Sequence, residues 1–461
     1  MLKPGILKNR NHSLSLLKSL GNRLREGFTP ILLVILLSAL VLRGVFFSQI
    51  PLSSGLLEFR PPGSDMKTYY DWAMRIAEGD WLGDGVFYYN PLYPYIIGLI
   101  FALFGTNLGI VAFFQVLLGL ISLLLIYFIG KEVFSEMVGL LAALMGAFYS
   151  MFILYEQVLL PESLGVLLSL LTIYPLVRFH DNPKVSYAFL AGAFMGLSVL
   201  NRSVFLALVP FIGGWILLDK GTKGGRNVRS LAVFLFAMAI IIAPVTLRNY
   251  IVGGDLVLIT SNGGVNFFIG NSQNSDGWFH YPPPYQEINK RISSQNLKPS
   301  QVSRLWFHEA VRSIGQDPMG YFGLMLRKLS LFWGRWEVPN NIDYLLIKRH
   351  SSIMRAPLLE FGLLAPLGLT GALLSINRKG KAFLLHLFVL VYSLSVVAFF
   401  VVGRFRLPVV PFLLVFGAFT FLFWYEKIKE GDYIQVALSL LLFFAFWMVV
   451  NLQPIYTHLG V

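Results

Sequence analysis

Residues 59–94 read FRPPGSDMKTYYDWAMRIAEGDWLGDGVFYYNPLYP, and the reading of this stretch decides the fold. It is polar, acidic and aromatic, and it follows the first long apolar segment of a chain otherwise filled with such segments. A plain connector between two membrane spans needs only a few residues. This one carries Asp65, Asp71, Asp80 and Asp84 and ends in an aromatic, proline-rich run. It therefore reads as half of a site, held at the surface of a helical bundle.

The rest of the chain supplies that bundle. Of 461 residues, 56% are hydrophobic and 13% charged, and apolar runs near the roughly 20 residues needed to cross about 30 Å of hydrocarbon recur through most of the length. The fold class expected is an all-α polytopic membrane protein with about eleven spans. The net charge of +13 does not call for nucleic acid, because the basic residues gather in short loops, as the positive-inside rule requires. There are no cysteines, so neither disulfides nor thiolate metal sites enter.

Lys3, Lys8, Arg10, Lys18, Arg23 and Arg25 against the single acid Glu26 make 1–29 a cytoplasmic basic N-terminus, with no cleavable signal evident. The next unit, 30–250, is a membrane module that includes the outer loop 51–107. Within that loop Ser64 caps and Gly79 stops a short helix, Asp65 to Glu78. Asp65, Tyr69 and Trp72 then share a face, and the helix dipole favours the ionised form of Asp65. Pro91 to Gly105 is too short to cross and reads as a surface or re-entrant helix. Lys220, Lys223, Arg226 and Arg229 mark an inner loop. A large outer loop spans 251–356. Its opening, RNYIVGGDLVLITSNGGVNFFIGN, alternates and carries glycines, which predicts a small strand-and-turn element. Val302 to Ile314 predicts a helix, and Tyr321 to Trp336 a helix lying in the interface. The C-terminal spans occupy 357–453, followed by a tail, 454–461.

On this topology Arg202, Arg404 and Arg406 fall in very short outer connections, where positive charge is disfavoured. Each either snorkels to headgroups or pairs with an anion. An arginine fork suits phosphate oxygens, so together they fit a lipid phosphate or pyrophosphate. Among the acids, Asp71, Asp80 and Asp84 read as solvated loop carboxylates. Asp65 stands apart at a helix start beside Tyr69 and Tyr70, aromatics suited to stacking on a sugar. Glu162, after Pro161, is either a helix-entry residue or a second site acid, with Glu156 the weaker competitor. The chain has no P-loop, no GxGxxG after a strand and no HExxH. Nor is there a DxD pair to hold a metal-bound nucleotide sugar. A donor carried by the membrane is favoured.

In order along the chain, PPGSDMKTYYDWA, YYNPLYPYIIGLIFALFG, QVLLPESL, LNRSV, APVTLRNY, NFFIGN and RFRLPVVPF resemble the integral-membrane C-type (GT-C) glycosyltransferases. The likeness is greatest to the branch containing protein O-mannosyltransferases and the aminoarabinose transferases that modify lipid A, and it covers most of the chain. The resemblance implies a polyprenyl-phosphate sugar donor and an acceptor (lipid, glycan or protein) reached from the outer face of a bacterial or archaeal cell membrane. It also implies inversion at the anomeric carbon, with Asp65 as catalytic base and Glu162 as the second-loop acid. Tyr69, Tyr70, Arg202, Arg404 and Arg406 are the expected donor contacts. The chain departs from protein mannosyltransferases where Met66 follows Asp65 in place of an acid pair. No cofactor is called for; a divalent metal bridging the acids is compatible, but no ligand spacing demands one. Two rivals stand beside the transferase. One is a lipid-linked sugar transporter or flippase, which usually shows repeated halves; the other is a lipid-linked oligosaccharide ligase.

Overall fold

The computed structural model describes residues 30–49, 63–219 and 225–452. The basic N-terminus, the start of the outer loop, the Lys220 and Lys223 signal and the tail lie outside these described residues. Helix α1, Pro30–Gln49, is apolar throughout. The outer loop then gives α2, Asp65–Ala77, and α3, Leu92–Phe104, which pack on each other. Ser64 caps α2 by accepting from the Lys67 amide at 3.2 Å, and Gly79 ends it at φ +101°, as the sequence predicts. Helix α3 has 13 residues, about 20 Å at 1.5 Å per residue, too short to span hydrocarbon.

The N-terminal bundle follows with α4, Leu108–Val133, and a broken helix, α5, Glu136–Ala147, and α6, Ser150–Tyr155. At the break, the Ser150 amide donates to the Leu359 carbonyl at 3.0 Å, and the Leu359 amide donates to the Phe148 carbonyl at 3.0 Å. Next come α7, Glu162–Asp181, α8, Val185–Asn201, a 3-10 turn at Ser203–Leu208, α9, Val209–Leu218, and α10, Gly225–Gly253. Helix α8 packs against both α7 and α10. Its backbone approaches α10 closely at Gly192, where a Cβ would lie 2.1 Å from the Phe234 carbonyl oxygen. Small residues make such approaches within a membrane bundle, where lipid supplies no hydrophobic drive between helices.

The large outer loop carries α11, Gly263–Asn271, α12, Tyr285–Ser293, α13, Pro299–Gln316, α14, Pro318–Trp333, α15, Tyr344–His350, and α16, Ser352–Arg355. Phe268, Trp306, Ile292 and Phe400 form a small apolar core of their own, which seats α11 on the approach to Gly403. Helix α14 has 16 residues and is not among the helices long enough to span. The chain finishes with α17, Phe361–Leu374, α18, Lys381–Val397, a 3-10 turn at Gly403–Val409, α19, Val410–Glu430, and α20, Tyr433–Asn451.

One expectation changes. The strand-and-turn element is absent: among the described residues there are only isolated bridges. The alternation is nonetheless real in burial, with Val257 and Ile259 inside and Leu256 and Leu258 outside. No second strand meets it. Instead the Asn249 side chain donates to the Val257 and Ile259 carbonyls at 3.0 and 2.9 Å, so the segment is extended without a sheet. Helix length and composition bear on the span count only in part. Six helices, Pro30–Gln49, Leu108–Val133, Glu162–Asp181, Arg226–Gly253, Gly403–Glu430 and Tyr433–Asn451, are long and apolar enough to cross a membrane. The other crossings among the expected eleven fall on shorter apolar helices, so length and composition establish six.

Candidate active site

The first residue of α2, the first residue of α7 and the irregular turns after α8 and α18 converge. Each contributes one charge. Arg202 ends α8 in extended backbone (φ −158°, ψ 112°), and Arg404 lies two residues beyond Val402, also extended (φ −133°, ψ 152°). Breaking the helix at these points turns the side chains inward rather than along a lipid-facing stripe. Arg404 then spans both acids: one terminal nitrogen donates to Asp65 Oδ2, and the other to Glu162 Oε1 at 3.0 Å. Arg202 also donates to Glu162 Oε1, at 2.7 Å, while its guanidinium lies 4.3 Å from the centre of the Phe405 ring.

Two carboxylates and two guanidiniums thus form a neutral cluster. Glu162 is 1% exposed, Arg404 5% and Asp65 24%, so Asp65 is the member that meets solvent. Asn341 and Asn340, from the segment before α15, complete its surroundings. Asn341 donates to Asp65 Oδ2 at 3.0 Å and accepts from the Asp65 amide at 2.9 Å. Asn340 accepts from Arg404 at 2.8 Å, and Asn341 sits at φ +64°, a left-handed conformation that asparagine tolerates better than most residues. The side-chain bonds of Asp65 all fall on Oδ2. Among the described residues Oδ1 has none.

Around Asp65 lies a polar cavity of about 250 Å³, lined also by Tyr69, Tyr88, Tyr89 and Tyr281. Burial, with Asp65 next in effect, holds the Tyr69 phenol far above its ordinary range, so it stays neutral. Burial likewise moves Tyr89 up to about 12. The cavity shares Asn90, Arg202, Asn262, Asn266, Phe400 and Phe405 with a groove of about 520 Å³. Val204, Leu206, Ala207, Leu258, Val396 and Phe399 make that groove mainly apolar.

The structure therefore brings together Asp65, Glu162, Arg202, Arg404 and Tyr69. It does not bring Arg406 or Tyr70 to them. Arg406 donates to the Gly334 and Trp336 carbonyls at 2.6 and 3.1 Å and pairs with Glu337 at 2.6 Å, which ties the end of α14 to the turn before α19. Tyr70 turns away, its ring edge-on to Phe101 at 5.5 Å. Glu156 is committed to Arg43 of α1 in a buried pair. The Gln115 amide fixes the turn that leads to Glu162, donating to the Val158 carbonyl at 2.8 Å. Asn340 and Asn341 carried no sequence signal beyond the pairing of two asparagines.

The acids do not suit a resident divalent metal. The guanidinium of Arg404 already occupies the position between Asp65 and Glu162, and no cluster of three His, Asp or Glu exists among the described residues.

Residues 89–247 match the model of the family described as dolichyl-phosphate-mannose-protein mannosyltransferase. Among solved structures, the fold is similar to an Archaeoglobus fulgidus oligosaccharyltransferase solved with Zn and sulfate. There the TM-score is 0.52 and the identity 16%, over 92% of this chain and 54% of that one. It is also similar to the oligosaccharyltransferase AglB from that organism, solved with an inhibitory peptide and a dolichol-phosphate. That match has a TM-score of 0.50 and 14% identity, over 91% of this chain and 55% of the other. ArnT from Cupriavidus metallidurans, bound to undecaprenyl phosphate, aligns with a TM-score of 0.40 and 14% identity, over 87% and 79% of the two chains. No curated protein sequence matches significantly. The family model covers residues 89–247 of the 461, and the likeness to the two oligosaccharyltransferase structures is one of fold. The chain spans about half the length of the oligosaccharyltransferases it resembles.

Proposed function

We propose that the protein transfers a sugar from a polyprenyl-phosphate donor to a lipid, glycan or protein acceptor on the outer face of a cell membrane, with inversion. The observation that carries this reading is one junction. A polar cavity holding a carboxylate with a free oxygen opens, past Arg202, into an apolar groove. The groove suits a prenyl tail, Arg202 the phosphate at its end, and the cavity the sugar.

In the reaction the acceptor's hydroxyl or amine attacks the anomeric carbon, and its proton passes to Asp65 Oδ1. The bond from that carbon to the phosphate oxygen breaks, and polyprenyl phosphate leaves. One displacement inverts the centre. Base assistance of this kind is typically worth about 100- to 10,000-fold in rate. Arg202 stabilises the charge gathering on the leaving phosphate. Arg404 holds Asp65 and Glu162 rather than the phosphate, because both of its terminal nitrogens already meet carboxylates. Tyr69 forms the cavity wall as a neutral ring and hydroxyl.

The test compares wild type with Asp65→Asn. Purified protein is given synthetic polyprenyl-phosphate sugars and a membrane extract as acceptor, and released polyprenyl phosphate is followed. The amide is isosteric and a quarter exposed, so the variant folds, and its turnover falls about 100-fold or more. Equal turnover in the two proteins moves the base elsewhere. Donor movement across liposomes without any release makes the protein a transporter.

A further inference from the structure

A second cavity, of about 500 Å³, lies behind the segment that carries Asn340 and Asn341. It shares no lining residue with the cavity at Asp65: Asn340 and Asn341 line that one, while Trp336, Pro339 and Asp343 line this one. It sits where the end of α14, the start of α17 and the end of α20 meet. There the Arg335 amide donates to the Val450 carbonyl at 3.1 Å, and the Asn451 side chain donates to the Gly362 carbonyl at 2.8 Å. Leu363 and Trp447 line the cavity and are both exposed. Helix α20 is apolar enough to span and mostly unburied, so the cavity opens toward lipid. The charges around it are matched except for one. Glu337 pairs with Arg406 at 2.6 Å, and Lys348 pairs with Glu360, which also accepts from the Tyr344 hydroxyl at 3.0 Å. Asp343 accepts from the Leu345 and Leu346 amides. Arg335 makes no ion pair and no side-chain hydrogen bond among the described residues, and its guanidinium lies 4.3 Å from the centre of the Trp336 ring. The Trp336 indole nitrogen is buried and likewise has no partner among them.

We propose that this second cavity holds the phosphate of an anionic glycerophospholipid from the surrounding bilayer, with Arg335 and the Trp336 indole as its donors. The proposal goes beyond sugar transfer and does not depend on it. A guanidinium fork matches phosphate oxygens, and an indole N–H can only donate. The two stand side by side with nothing to donate to, and one group with several acceptor oxygens satisfies both. The three acids nearby are already engaged by cations, a hydroxyl or amides, so a phosphate does not meet a bare carboxylate. Met151, Leu345, Leu358 and Leu363 give the cavity apolar walls for the start of an acyl chain. Its volume lies within the roughly 300–1,000 Å³ of pockets for small ligands. Basic pockets beside membrane helices bind anionic headgroups in this way. The segment from Trp336 to Asp343 stands between this ligand and Asp65, which makes the headgroup a resident lipid rather than a substrate presented to the carboxylate.

Purified full-length protein in detergent is titrated with short-chain phosphatidylglycerol, short-chain phosphatidylcholine or inorganic phosphate, and the unfolding temperature is followed. A ligand that binds only the folded chain raises it. Phosphatidylglycerol raises it saturably. Phosphatidylcholine, whose phosphate carries its own cation, and inorganic phosphate, which lacks the chains, need about tenfold more or have no effect. Arg335→Gln, at an exposed position, raises the half-saturating concentration of phosphatidylglycerol about tenfold or more, as the loss of a charged contact requires. Trp336→Phe keeps the ring, loses the donor and raises it about threefold. Arg312→Gln, on the exposed face of α13, leaves it unchanged. A response that survives Arg335→Gln, or that Arg312→Gln weakens as much, is general attraction between charges and overturns the site. An equal response to phosphatidylcholine overturns the part given to charge. An equal response to inorganic phosphate makes the ligand a soluble anion and overturns the lipid. No response to any of the three overturns the proposal outright.

Discussion

Arg404→Lys separates two jobs that an active-site arginine can have. Arg404 reaches Asp65 and Glu162 with different nitrogens and Asn340 besides. A lysine has one ammonium on a flexible stem and cannot reproduce the planar fork. It keeps one carboxylate and gives up the other. One hydrogen bond to a charged group is worth about 1.5–3 kcal/mol, and Glu162 still has Arg202 at 2.7 Å, so stability falls by about that amount. Asp65 loses its clamp, and on the proposed reaction part of the roughly 100- to 10,000-fold base contribution goes with it. The expected result is a kcat lower by about 10- to 100-fold with the donor KM within about threefold, since no phosphate contact is removed. Donor titrations against polyprenyl phosphate release, with thermal unfolding of the same preparations, measure both quantities. A donor KM raised tenfold or more at unchanged kcat would refute the reasoning and make Arg404 a phosphate ligand.

The remaining predictions use the same protein. Arg202→Gln removes the guanidinium at the mouth of the groove, so the donor KM rises by about tenfold or more, read in the same titration; an unchanged KM moves the phosphate elsewhere. Gly119→Ala drives a Cβ to 2.1 Å from Glu156 Oε1, and Glu156 is held by Arg43. The buried pair must open, and unfolding temperature drops as expected for a broken buried pair of about 3–5 kcal/mol. Burial lowers Lys328, on α14, from 10.5 to about 7 in the folded chain. Between about pH 7 and 10.5 the unfolded chain therefore binds a proton that the folded chain does not. Stability rises with pH across that window, and the cost of burying the charge is complete below it. Lys328→Met flattens that slope in a melting series against pH, and a slope that persists assigns it to another group.

Much of the site was legible because its anomalies were chemical. Arg202 and Arg404 stood out as cations in connections that the topology read from the sequence puts on the outer side, where cations are expected to be scarce, and Asp65 as an acid opening a capped helix. Glu162 stayed ambiguous between helix entry and site acid, and the fold shows how both arise: it starts α7 and receives both arginines. Arg406 shares the same motif and the same anomaly, yet its burial serves packing. Sequence position does not say whether an inward guanidinium meets carbonyls or carboxylates. Asn340 and Asn341 were invisible because their meaning comes from a residue 276 positions away, and uncharged amides carry no topological penalty. The extended segment at 254–262 misled for a related reason. Alternating burial is a property of one extended chain against a core, while a strand also needs a neighbour, and Asn249 stood in for that neighbour.

The break between α5 and α6 also bears on how the chain is made. Its Ser150 amide and Phe148 carbonyl find their partner only in Leu359, roughly 210 residues further on. At about 5–20 residues per second of synthesis, that is roughly 10–40 s after the break has emerged. Throughout that interval the nascent N-terminal bundle presents bare backbone polar groups, which hydrocarbon penalises by several kcal/mol each. The half-made protein thus depends on an insertion machinery that shelters the kink, and a chain truncated before Leu359 is the form that cellular quality control should recognise first.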